Sequence, residues 1–328
     1  MKRLRRRRFL QLAGAAAATP ALPHVAAALD YPTRPVKIIA GFPAGGAVDI
    51  VARLIGDWLS QNLHQQFFVQ NQPGAANNIA TEDLTKAPPD GYTLLLTNPT
   101  NAINATLYRA LKYNFIRDTV AVAGIMRVPN VMAVGAQVPV KTLPEFIEYA
   151  KANVGKVYYA SPGNGTSPHM SAELFKLMTK VDLLNITYRG MNGGAYTDML
   201  SGRVQVAFDN LPGSIGYIRG GQFRALGVTT TARSDELPDV PSISEFLPGY
   251  EVSAFYGLNA PKGTPPEVIA TLNKAVNAGL ADATFKAKLA NLGGMMIGGS
   301  PADFGDFLVR ETDKWAKVIH EANITLLD

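Results

Sequence analysis

Apolar residues recur along this chain in two rhythms, short runs bounded by turns and longer stretches with a helical period, and the two alternate as in an α/β protein. Val36 to Ala40 is a mostly apolar run that predicts a strand, and the turn Gly41-Phe-Pro-Ala-Gly-Gly46 leads out of it into a helix. In that helix Val48, Val51, Ala52, Ile55 and Leu59 share one face, while Asp49, Arg53 and Asp57 lie elsewhere on the cylinder. Phe67 to Val69 and Tyr92 to Thr97 predict two more strands, with a helix near Ile79 to Lys86 between them. Val120 to Ile125 and Val131 to Val134 read as two separate β runs, divided by Arg127-Val-Pro-Asn130. Lys141 to Ala152 predicts a helix with Pro144 near its start.

The segment Lys156 to Met178 repeats the opening design. A strand over Val157 to Ala160 runs into the turn Ser161 to Thr166, and a helix starts near Ser167-Pro168. Further on, Leu183 to Tyr188, Val204 to Phe208 and Phe223 to Thr229 predict strands, and Ala195 to Ser201 a helix. Val252 to Leu258 reads as a return crossing. From Pro265 onward the pattern is helical, with Ile269, Leu272, Val276 and Leu280 on one face and a final helix from Phe304 to about Ala322. This last part is expected to pack back on the first domain, and two crossings between domains make a hinge.

A strand that passes through glycines into a helix leaves the first helical N–H groups without internal partners, so each such turn can hold an anion. It can equally be an ordinary βα connection. That the design occurs twice favours the anion site. Asn98, Thr100 and Asn101 follow a strand end and offer neutral hydrogen-bonding groups to a cleft, or cap the next helix. Tyr158, Tyr188 and Tyr256 line a cleft or fill the domain interiors. Arg189 lies next to the expected pocket, where it contacts a second carboxylate or stays at the surface.

Charge changes the picture only after the N-terminus is set aside. Lys2, Arg3 and Arg5 to Arg8 precede an Ala-rich apolar segment, so residues 1–28 read as an export signal with a twin-arginine-like start and cleavage near Ala28. The whole chain carries a formal +5, but these 28 residues hold six Lys and Arg and no acid, which leaves −1 for the remainder. Nothing there drives nucleic-acid binding. The absence of Cys excludes disulfides, thiol nucleophiles and thiolate metal sites. Beyond the signal no apolar run is long enough to span a bilayer, and a periplasmic location is expected.

Motifs in register along the chain carry a resemblance. Tyr31-Pro-Thr-Arg-Pro35, Phe42-Pro-Ala-Gly-Gly46 with Asp49, Asn71-Gln-Pro-Gly74, Pro89-Asp-Gly-Tyr-Thr-Leu94 and Ser161-Pro-Gly-Asn-Gly-Thr-Ser-Pro-His169 are among them. Tyr188-Arg-Gly190, Leu237-Pro-Asp-Val-Pro241 and Ala260-Pro-Lys-Gly-Thr-Pro265 continue the series. Together they resemble the extracytoplasmic solute receptors of tripartite tricarboxylate transporters, the Bug family. The resemblance implies a type II-like periplasmic-binding-protein fold, two α/β lobes joined by two crossover segments with a ligand cleft between them. Residues 29–125 with 254–328 would form lobe 1 and 126–253 lobe 2. It further implies capture of a small carboxylate by hinge closure and delivery to membrane permease subunits, by a monomer without cofactor or metal.

Carried over by position, the resemblance places Phe42, Pro43, Ala44, Gly45 and Gly46 on one wall and Ser161, Asn164, Gly165 and Thr166 on the other. Asp209 matches a position facing the far end of the ligand, and Asn98 and Tyr188 complete the expected set. Two departures stand out. The family usually has Pro where Gly41 stands, and a Gly-rich run where Ala75-Ala-Asn-Asn78 stands. The rim of the first lobe is therefore expected to be bulkier and more polar. Micromolar binding needs about −8 kcal/mol, and hydrogen bonds to a charged group contribute roughly 1.5–3 kcal/mol each, so a few such bonds suffice without an Arg.

Other functions find less in the sequence. There is no HExxH, Gly-x-Ser-x-Gly or Walker pattern, and Gly163-Asn-Gly165 lacks the third glycine of a dinucleotide site. His169 opens the second helix as a packing or capping residue, or as a base. An exported hydrolase or isomerase and a periplasmic sensor docking on a membrane kinase remain the alternatives to a carrier.

Overall fold

The computed structural model describes residues 31–321 and 324–328, so the N-terminal segment read as an export signal lies outside the described residues. The first unit follows from local sequence. Strand β1 (Val36–Ala40) is buried at four of its five positions, and helix α1 (Ala47–Leu63) puts Val48, Val51, Ala52, Ile55 and Leu59 against it. Strand β2 (Phe67–Asn71), α2 (Asn78–Lys86), β3 (Thr93–Thr97), α3 (Pro99–Leu107) and the short α4 (Phe115–Asp118) follow. β1 pairs in parallel with β2 on one side and β3 on the other.

Strand β4 spans Thr119–Gly135, and here the structure corrects the sequence reading. The two β runs expected on either side of Arg127 to Asn130 are one continuous 17-residue strand. From Thr119 to Pro129 it pairs antiparallel with β9 (Ser253–Pro261); from Asn130 onward it pairs with β7 (Val206–Asn210) and, from Val131, with β8 (Phe223–Val228). Pro129 breaks the sequence signal because proline donates no ladder hydrogen bond. In the fold it stands at the changeover of partners, where a missing donor costs least. β4 therefore runs through both lobes.

The second lobe repeats the first design. Helix α5 (Leu143–Ala152) leads to β5 (Tyr158–Ser161), α6 (Ser167–Thr179) and β6 (Leu184–Thr187), with β5 parallel to both β6 and β7. A turn of π-helix over Met191–Ala195 runs into α7 (Tyr196–Leu200). β7 is followed at once by α8 (Leu211–Arg219), a helix the sequence reading did not include. Gly213 and Gly216 depress its propensity. Gly213 has a reason to be there: a Cβ on it would lie 2.8 Å from the Tyr196 hydroxyl and 3.3 Å from Asp209 Oδ2.

After β9 come α9 (Pro266–Ala281), α10 (Ala283–Ala290), the two-residue β10 (Met295–Met296) and α11 (Pro301–Glu321). α11 packs against α3 and β4, as expected of the C-terminal part, burying Phe304, Leu308, Trp315 and Ile319. Along the main path the strand order is β2-β1-β3-β9-β4-β7-β5-β6, with β8 and β10 both on β4. Among the described residues no helix is long and apolar enough to cross a membrane.

The two departures from the family pattern turn out to be one feature. Ala75, Ala76 and Asn77 all hold left-handed backbone, with φ of 44°, 48° and 75°, a conformation that costs roughly 1–2 kcal/mol at each non-glycine residue. Side chains of the first lobe hold the loop in place. Asn104 Nδ2 donates to Ala76 O at 2.9 Å and to Asn78 Oδ1 at 2.7 Å, and Asn77 Nδ2 donates to Asn101 Oδ1 at 3.1 Å. The Asn77 amide then fills the space beside Gly41, where any Cβ would overlap Asn77 Oδ1. Gly41→Ala is accordingly expected to destabilise the protein by about 1–3 kcal/mol in chemical denaturation. The double variant with Asn77→Gly should recover part of that loss, and equal stability of Gly41→Ala and the parent would contradict the coupling.

Candidate functional site

At the C-terminal ends of β1, β3, β5 and β7 the chain turns into helices, and these turns enclose a cavity of about 60 Å³ between the lobes. The first lobe supplies Phe42, Pro43 and the start of α1 from Gly46 to Val48, with Asn98 and Pro99 at the start of α3. The second supplies Pro162 and the start of α6 from Thr166 to Pro168, with Asp209, Asn210 and Gly213 at the start of α8. Gly190, Met191, Asn192 and Tyr196 close one side, and Tyr256 of β9 another. No Lys, Arg or His is on this wall.

Free donors distinguish the wall. Gly46, the N-cap of α1, has no side chain to cap with, and no partner among the described residues takes the N–H of Ala47 or Val48. At α6 Thr166 caps with its hydroxyl, which accepts from His169 N at 3.3 Å and donates to Gly163 O at 2.7 Å; the Ser167 N–H is left free. Asn98 caps α3 through Oδ1, which accepts from the Thr100 N–H at 3.1 Å and from the Thr100 hydroxyl. Its Nδ2 is buried and has no partner among the described residues. The capping and cleft readings of Asn98 are thus compatible, one for each end of the same amide.

The turn between β1 and α1 is organised from beneath. Asp49, buried in the first turn of α1, accepts from Gly45 N at 2.9 Å, from Asn71 Nδ2 at 2.9 Å and from Arg53 Nε at 3.0 Å. Asn71 Nδ2 also donates to Phe42 O at 3.0 Å. Burial opposes the Asp49 charge, but the bonds from Arg53, Gly45 and Asn71 outweigh it and hold the carboxyl below the usual range.

Asp209 is in the opposite situation. It accepts from the Tyr196 hydroxyl at 2.6 Å and from Asn210 N at 2.8 Å, and no ion pair reaches it among the described residues. Burial pushes its carboxyl up to about 6, against those two hydrogen bonds. Asn210 beside it ties the cavity to β4, the strand shared by the two lobes. Its Oδ1 accepts from the Tyr256 hydroxyl at 3.2 Å, and its Nδ2 donates to Ser167 Oγ at 3.1 Å and to Oδ1 of Asn130, the residue at which β4 changes partners.

Of the residues expected from sequence, Phe42, Pro43, Gly46, Asn98, Thr166 and Asp209 come together on this wall. Ala44 and Gly45 belong to the same turn but are exposed, and the Gly45 N–H is taken by Asp49. Ser161 is buried behind the wall, its hydroxyl donating to Asn185 Oδ1 at 2.9 Å. Asn164 accepts from Asn185 Nδ2 at 3.1 Å and, with Tyr188 and the exposed Arg189, borders a larger outer cavity of about 600 Å³. Tyr188 donates to Asp198 Oδ2 at 2.7 Å. Gly165 faces Asn104 and Leu107 of α3 in the other lobe. His169 is buried, burial lowers its pKa to about 4, and its ring accepts from Gly165 N at 3.4 Å.

Sequence reasoning missed Asn192, Tyr196, Asn210 and Gly213. The last two had a signal in Asp209-Asn-Leu-Pro-Gly213, a strand end followed by Pro in the first turn of a helix. Cross-lobe contacts show that the walls meet. A Cβ on Gly190 would lie 3.2 Å from Pro43 Cδ, and one on Gly45 2.9 Å from Asn192 Nδ2. Among the described residues no group of three or more His, Asp or Glu side chains could hold a metal ion.

Two α/β lobes with a cavity lined by helix starts define a protein of the periplasmic-binding-protein fold. Residues 51–324 match the family described as TctC, tripartite tricarboxylate transporter family receptor, and the chain belongs to that family. BugT of Bordetella pertussis is 33% identical over 322 residues, which cover 97% of this chain and 98% of BugT. Two solved structures are similar throughout. Rpa4515 of R. palustris with adipate is 36% identical with a TM-score of 0.88, over 90% of this chain and all of that one. MatC (Rpa3494) from Rhodopseudomonas palustris with bound malate is 30% identical with a TM-score of 0.83, over 88% of this chain and all of that one.

Proposed function

We propose that this protein is a periplasmic carrier that captures a small carboxylate in the cavity between its lobes and passes it to the membrane subunits of a tripartite transporter. The observation that carries the reading is the set of unpartnered donors on one cation-free wall: the N–H groups of Ala47, Val48 and Ser167 and the Asn98 amide. Backbone donors at helix starts favour a negatively charged group without an ammonium or guanidinium partner. The ligands in the names of Rpa4515 and MatC, adipate and malate, support the carboxylate class.

On this reading the lobes comprise residues 29–125 with 254–328, and 126–253. They close by rotating about the two crossings, the kind of motion for which periplasmic binding proteins are known. The partner change at Pro129–Asn130 supports the first crossing, and the bond from Val252 N to Thr229 O, at 3.0 Å, supports the second. Thermal unfolding with adipate, malate, an aromatic carboxylate and an acidic amino acid tests the assignment. A ligand present at a hundredfold its Kd stabilises by about 2.7 kcal/mol, a rise in Tm on the order of 5 °C. The matching amides should give no rise, and a flat response to every carboxylate would end the carboxylate reading. Loss of labelled-ligand uptake on deletion of the protein would support a carrier, and loss of gene induction alone a sensor.

A further inference from the structure

Asp209 is the one acid on the described wall of a cavity that has no base. It is 4% exposed, and its fixed partners are neutral, the Tyr196 hydroxyl and the Asn210 N–H. A carboxylate held by the free donors of α1, α3 and α6 shares a space of about 60 Å³ with it. Two anions in so small a space repel strongly when both are ionised, so one of them takes a proton. The starts of α1, α3 and α6 hold the ligand's charge on their side of the cavity, whereas Asp209, at the start of α8, has only the Asn210 N–H and the Tyr196 hydroxyl, and it is the group that gives way.

We propose that Asp209 binds a proton when a carboxylate enters this cleft, so that capture is proton-linked, with one proton taken up per ligand. The inference rests on the reading of the cleft as a carboxylate site. The step forms an O–H bond on Asp209 with a proton from solvent, and no other bond changes. In the ligand-free protein burial already raises this carboxyl to about 6, and a second negative charge raises it further.

The other titratable groups near the cavity keep one state between about pH 5 and 8. Tyr196 of α7 and Tyr256 of β9 face Asp209, and Tyr196 packs at a tilt against Tyr217 of α8; burial raises the pKa of Tyr196 and Tyr256, so both stay neutral. His169 of α6 stays uncharged because burial lowers it to about 4. Asp49 of α1 stays ionised through Arg53, Gly45 and Asn71. Asn98 of α3 and Asn210 of α8 do not titrate.

Isothermal titration of the purified protein with adipate, in carboxylate-free buffers of differing ionisation enthalpy, counts the protons directly. The uptake should approach one per adipate near pH 7–8 and diminish as pH falls toward 6, where the free protein already carries part of the proton. Affinity should fall about tenfold per pH unit above about pH 6. Asp209→Asn keeps an acceptor for Tyr196 without the charge. It should bind adipate at least tenfold more tightly than the parent at pH 8, with no proton uptake.

Tyr196→Phe removes a donor to the ionised form and should move the bend in affinity to higher pH. Adipate binding by the parent at pH 7–8 with no proton exchanged would overturn the proposal, whether or not either variant folds, and so would undiminished uptake in Asp209→Asn. If neither adipate nor malate binds at any pH, the carboxylate reading itself falls and the proton linkage with it.

Discussion

Replacing Gly165 by Val is expected to weaken ligand capture at least a hundredfold while leaving a folded protein. A Cβ at this position would overlap Asn104 Oδ1 and lie 2.9 Å from Leu107 Cδ2, both on α3 across the cleft. In the closure proposed above that clash belongs to the shut form, so its cost would fall on closure and not on folding. Gly165 also has φ of 77°, and a branched residue there costs roughly 1–2 kcal/mol in any state of the lobes. Calorimetry with the best-bound carboxylate, set beside denaturation of the ligand-free variant, separates the two costs. Affinity within threefold of the parent would mean that the Gly165–α3 contact is not part of the bound state.

Asp49→Ala should have the largest effect on stability and should weaken binding as well. The substitution takes away the charged acceptor of the part-buried Gly45 N–H and of one Asn71 bond, and hydrogen bonds to charged groups contribute roughly 1.5–3 kcal/mol each. A loss of about 3 kcal/mol is expected. The Arg53 contact adds little, since half of that side chain faces water. Binding should drop tenfold or more, because the turn from Phe42 to Gly46 loses its internal brace. The pH dependence has a definite sign. The Asp49 pKa is depressed in the folded protein, so its contribution is complete above the unfolded value near about 4 and disappears as pH falls through the folded one. Parent and variant should therefore converge in stability at strongly acidic pH, and a gap that persists there would argue against the carboxylate as its source.

Both substitutions touch turns that were legible in the chain itself. A strand, a glycine turn and an amphipathic helix are local patterns, so Val36 to Leu59 and Val157 to Met178 announce their structure without help from distant residues. Thr166 and Pro168 likewise mark the start of α6 by themselves. What the sequence could not carry was set by tertiary context. The continuity of β4 hides behind Pro129, whose missing donor matters only if one knows where the partners change. α8 hides behind Gly213, kept small by the Tyr196–Asp209 pair from elsewhere in the lobe. The left-handed run at Ala75 to Asn77 runs against the preference of its two alanines, and Gly41 with the Asn104 and Asn101 amides makes it tenable.

The unbroken path of β4 bears on how the molecule could move. A connector of loose coil would let the halves swing freely and diffuse through many orientations. A strand stitched to β9 up to Pro129 and to β7 and β8 beyond Asn130 has no such slack. In the hinge motion proposed above, any swing of one lobe on the other would then be absorbed as torsion shared over many peptide units, like the flexing of a leaf spring.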